Sequence, residues 1–240
     1  MGIMVQLSSV PPSAPVFLQR SPSRYVVGLD LAQAADYTAL CAIEHKIGVF
    51  DPNSELDRHC GIATYPQVKA EYLDVRFLQR WRGMSYVAII DHVKEFLATP
   101  PLCGDGNKVR PATLVVDASG VGRGVCDLFT TSGLPFVGVT ITSGSGATHD
   151  KANYWNVSKL LLVSVLDAAL HSGKLRIARA LAEAPALAEE LKDFRRAVTA
   201  AGHATFAARA NQHDDLVLST ALGVWWASRP PPSPAGMGCW

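Results

Sequence analysis

The hydrophobic positions of the chain fall into two kinds of segment, which predict strands and helices. Short apolar runs rich in β-branched residues are typical of buried strands, and they lie at Arg24–Leu31, Tyr37–Glu44, within His59–Tyr65, at Ala112–Val116 and near Pro135–Ile141. Apolar residues at helical spacing predict helices over Ser85–Ala98, from Gly124, over Lys151–His171, over Leu181–Val198 and over Asp214–Ala227. Strands in a run, then a strand–helix–strand unit, then helices predict an α/β domain with a mixed sheet.

Both ends of the chain depart from this pattern. Residues 1–23 carry four prolines among serines, and residues 229–240 read RPPPSPAGMGCW. Proline-rich segments without hydrophobic periodicity seldom join a core. We therefore expect one domain over residues 24–228, between a flexible N-terminal tail and a second proline-rich tail.

The composition of the 240 residues is that of a globular protein. Of these residues 48% are hydrophobic and 18% are charged, which excludes a disordered chain. The net charge of +1 creates no global attraction to nucleic acid or membrane, so an anionic polymer has to bind at a local basic patch.

The five cysteines never form a C-x-x-C pair, which argues against a zinc site or a disulfide framework. No signal peptide is visible, and the longest apolar run, Leu216–Ala227, is shorter than the about 20 residues that cross a bilayer. We expect a cytoplasmic protein with no membrane partner.

Carboxylates stand at the ends of three predicted elements. Asp30 lies near the end of the first strand, Asp117 closes the ATLVV strand, and Asp214 and Asp215 begin the last helix. If the two strands are parallel neighbours, Asp30 and Asp117 lie side by side at the edge of the sheet where ligands bind in open α/β folds. Clustered carboxylates repel one another unless a divalent cation neutralises them, and oxygen ligands suit Mg²⁺ or Mn²⁺. Two such ions about 3.5–4 Å apart activate water and stabilise the leaving oxygen of a phosphodiester.

Each of these carboxylates also has a purely structural interpretation. An aspartate at a strand end is commonly a turn or capping residue, and the Asp214–Asp215 pair suits an N-cap and the helix dipole. His213, which precedes the pair, is either a surface histidine or a group that orients water or phosphate. The coincidence of three placements favours the metal site.

Three segments, in the order GLDLAQAADYTAL, LVVDASGVGRGVCDLF and NQHDDLVLSTALGVWWA, resemble the nuclease domain of phage terminase large subunits. The resemblance covers residues 24–228 and includes a helix with Lys159, a GKLRI strand and the helix LAEELKDF between the second and third segments. It implies the RNase H-like fold, a mixed β-sheet flanked by helices, which RuvC-type resolvases share. It also implies an endonuclease with two Mg²⁺ or Mn²⁺ ions that cuts concatemeric double-stranded phage DNA during packaging, in the bacterial host cytoplasm, leaving a 3′-hydroxyl.

Carried onto this sequence, the resemblance assigns catalytic, metal-binding roles to the carboxylates. Asp30 matches the first-strand ligand, Asp117 the second, and Asp215 the third, with Asp214 as a helper or substitute. Both of the last two fall in one helical turn, so the pattern alone leaves the choice between them open. His213 is a possible auxiliary group.

Local positive charge near these segments is expected to hold DNA. Arg123 follows the second segment, Lys151 follows the SGSG loop, and Lys159 lies in the next helix. Phosphate contacts of this kind fix the position of DNA without reading its bases. With so little net charge, we expect weak DNA binding that falls steeply with salt.

The sequence also departs from the family. No G-x-x-x-x-G-K-[ST] phosphate loop occurs in it, so we expect the packaging ATPase motor on a separate polypeptide. A small terminase subunit and a portal are further partners that the resemblance implies. Two alternatives stay open. One is a RuvC-like junction resolvase; the other is a non-catalytic module that docks to a separate ATPase through its last helix and tail, which carry Trp225, Trp226 and Trp240.

Overall fold

The computed structural model describes residues 16–31, 36–51, 66–119, 122–151, 153–200 and 214–230, with the backbone alone at residues 16, 122, 123 and 193–200. The chain forms two compact units. The smaller contains the described residues of segments 1–21 and 47–71, and the larger contains those of segments 22–46 and 72–240.

The described part of the chain contains nine strands. They are β1 (Val16–Gln19), β2 (Arg24–Asp30), β3 (Tyr37–Asp51), β4 (Val68–Arg82), β5 (Thr113–Asp117), β6 (Phe136–Thr142), β7 (Ala147–His149), β8 (Tyr154–Ser158) and β9 (Leu175–Ile177). The strand order is β7-β8-β6-β5-β2-β3-β4-β9. Strand β2 pairs antiparallel with β3 and parallel with β5, and β6 is parallel to both β5 and β8. The sheet is therefore mixed, as predicted.

Helices cover both faces of the sheet. They are α1 (Tyr86–Leu97), α2 (Gly122–Thr131), α3 (Lys159–His171), α4 (Ala184–Ala200) and α5 (Asp215–Ala227). Side chains of α3, α4 and α5 share one hydrophobic core with alternate residues of β2, β3 and β5, and α1 and α2 share a second core with the intervening residues. Within the described residues, no helix has both the length and the apolar character needed to cross a membrane.

The predicted helix over Lys151–His171 is wrong in its first part. Residues 154–158 form strand β8, which pairs with β6, and the helix begins only at Lys159. Two local features explain the boundary. The YWNV run is rich in aromatic and β-branched residues, which favour strands, and the Ser158 hydroxyl accepts a hydrogen bond from the Leu161 N–H at 3.0 Å, capping α3.

The third predicted strand, within His59–Tyr65, lies outside the described residues. Among the described residues between β3 and α1, strand β4 begins at Val68. The smaller unit also contains β1, which pairs antiparallel with residues 48–51 of β3. Strand β1 falls inside the segment 1–23 that the proline content predicts to be a tail.

Helix α5 approaches strand β2 unusually closely, and two glycines make this approach possible. A Cβ atom on Gly28 would lie 1.9 Å from the Ser219 carbonyl oxygen of α5. On the helix side, a Cβ on Gly223 would lie 2.8 Å from the Cδ1 atom of Ile43. Backbone therefore packs almost directly on backbone, so the start of α5 is held close to the end of β2.

Strand β9 anchors the connection between α3 and α4. It pairs in parallel with β4, and the Arg176 guanidinium donates to both carboxylate oxygens of Asp74. The Lys46 ammonium binds the same carboxylate at 2.9 Å. These ionic contacts hold β9, which lies between α3 and α4 in the chain, against β4.

Replacing Gly28 with alanine tests the close approach. The new methyl group has no space beside the Ser219 carbonyl, so α5 must move away from β2, and overpacking of this kind costs about 1–3 kcal/mol. We expect a lower free energy of unfolding for Gly28→Ala, measured by urea denaturation. The matched control is Gly124→Ala in α2, where a Cβ meets nothing within 4 Å; we expect its stability to be unchanged or slightly higher. Equal stability of the two variants would contradict the packing.

Candidate active site

The site begins with two neighbouring parallel strands. Leu29 of β2 is in register with Val116 of β5, so the next residues, Asp30 and Asp117, end the two strands side by side. Side chains alternate across a strand. Because Gly28 faces α5, Asp30 also lies on the α5 face, at the carboxyl edge of the sheet.

Helix α5 brings the remaining carboxylates to this edge. Asp215 is its first residue and Asp214 is the residue before it. Asp30, Asp117 and Asp215 are all buried, with 7%, 8% and 8% of their surface exposed. Asp214 is half-buried and does not cap its own helix; instead its Oδ2 atom accepts a hydrogen bond from the Lys159 ammonium at 2.8 Å. Lys159 is the first residue of α3.

The carboxylates are close enough to perturb one another. Burial raises the pKa of Asp30 well above its ordinary value, and the negative charges of Asp117, Asp215 and Asp214 raise it further, while Lys159 opposes the shift. Burial also raises the pKa of Asp117, against hydrogen bonds with Ser119 and Asp30. These shifts arise from concentrated negative charge in a poorly hydrated place, which a bound cation would relieve.

A short turn after β5 orients Asp117. The Ser119 N–H donates to Asp117 Oδ1 at 2.8 Å, and the Ser119 hydroxyl accepts from the Ile141 N–H of β6 at 2.6 Å. The turn is thereby tied to the neighbouring strand, which limits rotation of the carboxylate.

Among the described residues, the candidate metal ligands at this edge are the carboxylate oxygens of Asp30, Asp117, Asp214 and Asp215, which is the chemistry that Mg²⁺ and Mn²⁺ prefer. In the described ranges, however, no group of three or more His, Cys, Asp or Glu side chains has the geometry to hold a metal ion. The Lys159 ammonium instead supplies positive charge to the cluster. These carboxylate oxygens thus suit a hard divalent cation, but the described side chains are not arranged to coordinate one.

The predicted DNA-contacting residues have different surroundings. Lys159 lies within the carboxylate cluster, paired with Asp214. Lys151 is exposed and lines a groove of about 280 Å³ beside the end of β5, together with Ala118, Cys126, Asp127, Thr140, Asp150 and Tyr154. Arg123 lies in the first turn of α2, and its side chain is outside the described residues, as is the whole of His213.

One acidic residue that contacts this site was not singled out from the sequence. Glu190 of α4 accepts hydrogen bonds at Oε2 from the backbone N–H groups of Leu216 (3.0 Å) and Val217 (3.2 Å). Burial, with a contribution from the charge of Asp215, raises the pKa of Glu190 to about 7. The sequence contains one indication of this role, which is the position of Glu190 in its helix. Glu190 lies three residues after the fully buried Leu187, so it is on the core-facing side of an amphipathic helix.

The fold is similar to that of a large terminase of known structure. The large terminase of a thermophilic bacteriophage matches with a TM-score of 0.51 and 9% identity, over 86% of this chain and 40% of that one. The large terminase nuclease of the thermophilic phage G20c, described with bound magnesium, gives 0.48 and 20% over 86% and 83%. The human cytomegalovirus terminase nuclease domain gives 0.42 and 14% over 84% and 82%. No family model and no curated protein matches the sequence. The predicted fold, an RNase H-like mixed sheet flanked by helices, is confirmed.

The raised pKa of Asp30 predicts a stability that depends on pH in the metal-free protein. Because the folded state binds the Asp30 proton more tightly than the unfolded chain does, stability falls as the pH rises above 3.8, the ordinary value. Asp30→Asn removes this penalty. We expect its melting temperature in EDTA at pH 7.5 to exceed that of the wild type by about 2–4 °C, the shift that ~1 kcal/mol produces in a chain of this size, and the difference to shrink toward pH 4.

The control is Asp91→Asn, at an exposed position of α1 on the other face of the sheet. Its melting temperature is expected to follow the wild type at both pH values. A destabilised Asp30→Asn at pH 7.5 would show that Asp30 is not held in a repulsive cluster.

Proposed function

We propose that the chain is a metal-dependent DNA endonuclease of the large-terminase kind, which hydrolyses phosphodiester bonds of concatemeric double-stranded phage DNA during packaging. The observation that supports this most is the convergence of three buried carboxylates on one edge of the sheet. Asp30 and Asp117 end adjacent parallel strands, and Asp215 begins the helix that packs on them. Burying three acids together is costly, and stability alone gives no reason for it.

In this proposal Asp30, Asp117 and Asp215 hold two Mg²⁺ or Mn²⁺ ions, and Asp214 is a helper. When bound, such ions supply an activated water nucleophile and stabilise the leaving oxygen of the phosphodiester. In line with the resemblance to terminase nucleases, we expect the cut to leave a 3′-hydroxyl.

Two features of the protein orient the carboxylates at this edge and balance part of their negative charge. The Ser119 turn fixes the direction of the Asp117 carboxylate. Lys159 holds Asp214 and opposes the rise in the pKa of Asp30, so it keeps the cluster compatible with folding when no cation is bound. Because the Lys159 ammonium already binds Asp214, we infer that the main role of Lys159 is to balance charge in the carboxylate cluster. Contact with a DNA phosphate is its secondary role.

DNA would be held beside this edge by local positive charge. Lys151 is exposed next to the end of β5, where a phosphate of a duplex entering the site would pass. Arg123 stays a proposed contact on the strength of its position after Asp117. His213 stays a possible auxiliary group.

The proposed partners follow from the proposed role. They are an ATPase motor, a small terminase subunit and a portal, in the cytoplasm of a bacterial host. The buried state of Trp225, which is 3% exposed, assigns that side chain to the core and removes it from the docking surface considered for a non-catalytic module.

Nicking of supercoiled plasmid tests the proposal. The purified chain is expected to cut with Mg²⁺ or Mn²⁺ and not with EDTA. The variants Asp30→Asn, Asp117→Asn and Asp215→Asn should each lose at least ~100-fold in rate, since a metal site contributes several kcal/mol to the transition state. Asp214→Asn should lose less, because Asp214 is engaged by Lys159.

Asp91→Asn is the matched control and should cut like the wild type. Circular dichroism checks that every variant is folded. Cleavage that persists in EDTA, or in Asp117→Asn, would contradict the proposal, as would a folded wild type that is inactive with both metals on plasmid, linear duplex and branched DNA.

A further inference from the structure

The start of helix α5 is capped by a side chain from another helix. The first N–H groups of a helix have no partner inside it, and a side chain of the residue just before the helix usually accepts from the second or third of them. In α5 these are the N–H groups of Leu216 and Val217, and both donate to Glu190 Oε2. Glu190 belongs to α4, 26 and 27 residues earlier in the chain.

The residue that would ordinarily cap the helix is used elsewhere. Asp214 is in the N-cap position, yet its side chain makes no capping hydrogen bond, and its backbone angles (φ −123°, ψ 16°) are not those of an extended cap. Its carboxylate binds Lys159 instead. Glu190 therefore does the capping, which leaves both aspartates at the start of α5 with their carboxylates in the cluster.

A second contact orients the Glu190 carboxylate. Its other oxygen, Oε1, accepts from Arg80 Nη1 at 3.4 Å, and Arg80 Nε also binds Glu183 at 3.1 Å. The Arg80 guanidinium lies over the ring of Tyr37, 4.9 Å from its centroid. With Oε1 directed toward Arg80, Oε2 is directed at the helix terminus. The Glu190 side chain is only 9% exposed, so little water competes for these bonds.

We propose that Glu190 is a positioning residue: by capping α5 in place of Asp214, it fixes the first turn of that helix and thereby the place of the Asp215 carboxylate at the metal site. The capping part stands on the contacts above, and its consequence for metal binding rests on the proposed nuclease function.

Amide hydrogen exchange in the full-length, metal-free protein tests the cap. In Glu190→Ala we expect exchange at Leu216 and Val217 to accelerate about tenfold, the effect of losing one charge-assisted hydrogen bond, with little change at Leu222 near the middle of α5. Glu190→Gln keeps an oxygen acceptor without the charge, and should fall between the wild type and Glu190→Ala. It also serves as the folded variant if Glu190→Ala proves unstable.

The neighbouring acid provides the control. Glu189 is on the same helix and exposed, and it binds Lys192 across one turn. Glu189→Ala and Glu189→Gln should leave the exchange of Leu216 and Val217 at the wild-type rate. Unchanged exchange in both Glu190 variants would overturn the cap.

Binding of Mn²⁺, followed by electron paramagnetic resonance, tests the positioning role without DNA or cleavage. We expect the dissociation constant to rise at least about fivefold in Glu190→Ala, since part of a charge-assisted bond is lost from the set that places Asp215, and less in Glu190→Gln. A lower melting temperature with unchanged Mn²⁺ affinity would mean that Glu190 serves stability alone, and would overturn the proposal. If the proposed nuclease function is wrong, the result differs, because the wild type itself then binds no Mn²⁺. The role of Glu190 at a metal site would then be wrong as well. The exchange rates of Leu216 and Val217 would still test the cap.

Discussion

The close packing of α5 on β2 is the constraint on which the candidate site depends. A strand with a side chain at position 28 would hold the helix away from the sheet, because the Ser219 carbonyl already occupies the space that a Cβ would take. With the helix this close, its first residue, Asp215, lies near the last residue of the strand, Asp30. The parallel pairing of β2 with β5 adds Asp117 to the same edge. The contact between the two backbones and the pairing of β2 with β5 together bring three distant positions of the chain into one cluster.

The carboxylate cluster lowers the stability of the fold when no cation is bound. The three carboxylates have less than a tenth of their surface exposed; burial raises the pKa of Asp30 and of Asp117, and the neighbouring negative charges raise that of Asp30 further. The protein offsets this cost in part with Lys159 and with the Ser119 turn at Asp117. Glu190 adds a further acidic group next to Asp215, and its hydrogen bonds stabilise the start of α5 rather than the charge of the cluster. The arrangement suits a site whose full stabilisation is completed by a cation. It also explains why removing a charge, rather than preserving it, is expected to stabilise the metal-free protein.

Much of this architecture could be predicted from the sequence, because the strands that carry the site are continuous apolar runs with an aspartate at the end. Asp30 and Asp117 were identified in this way, and so was the helix that begins beside Asp214. The error at Lys151–His171 came from treating YWNV as helical, since short apolar runs fit either structure; pairing with β6 and the Ser158 cap decide it. The role of Glu190 could not be predicted from the sequence, because it depends on a tertiary contact. An acid on an amphipathic helix resembles any solvated charge until the fold shows which backbone groups it faces.

The same reasoning applies to the choice between Asp214 and Asp215, which sequence left open. Both lie in one turn, but only the structure shows that Asp214 is half-buried and bound to Lys159 while Asp215 is buried in the cluster.

The most direct test of the proposed metal site is a crystal of the full-length protein grown with Mn²⁺, with anomalous diffraction recorded near the manganese absorption edge. We expect anomalous peaks within ligand distance of Asp30, Asp117 and Asp215. Crystals in which these three carboxylates are ordered but no manganese lies among them would contradict it.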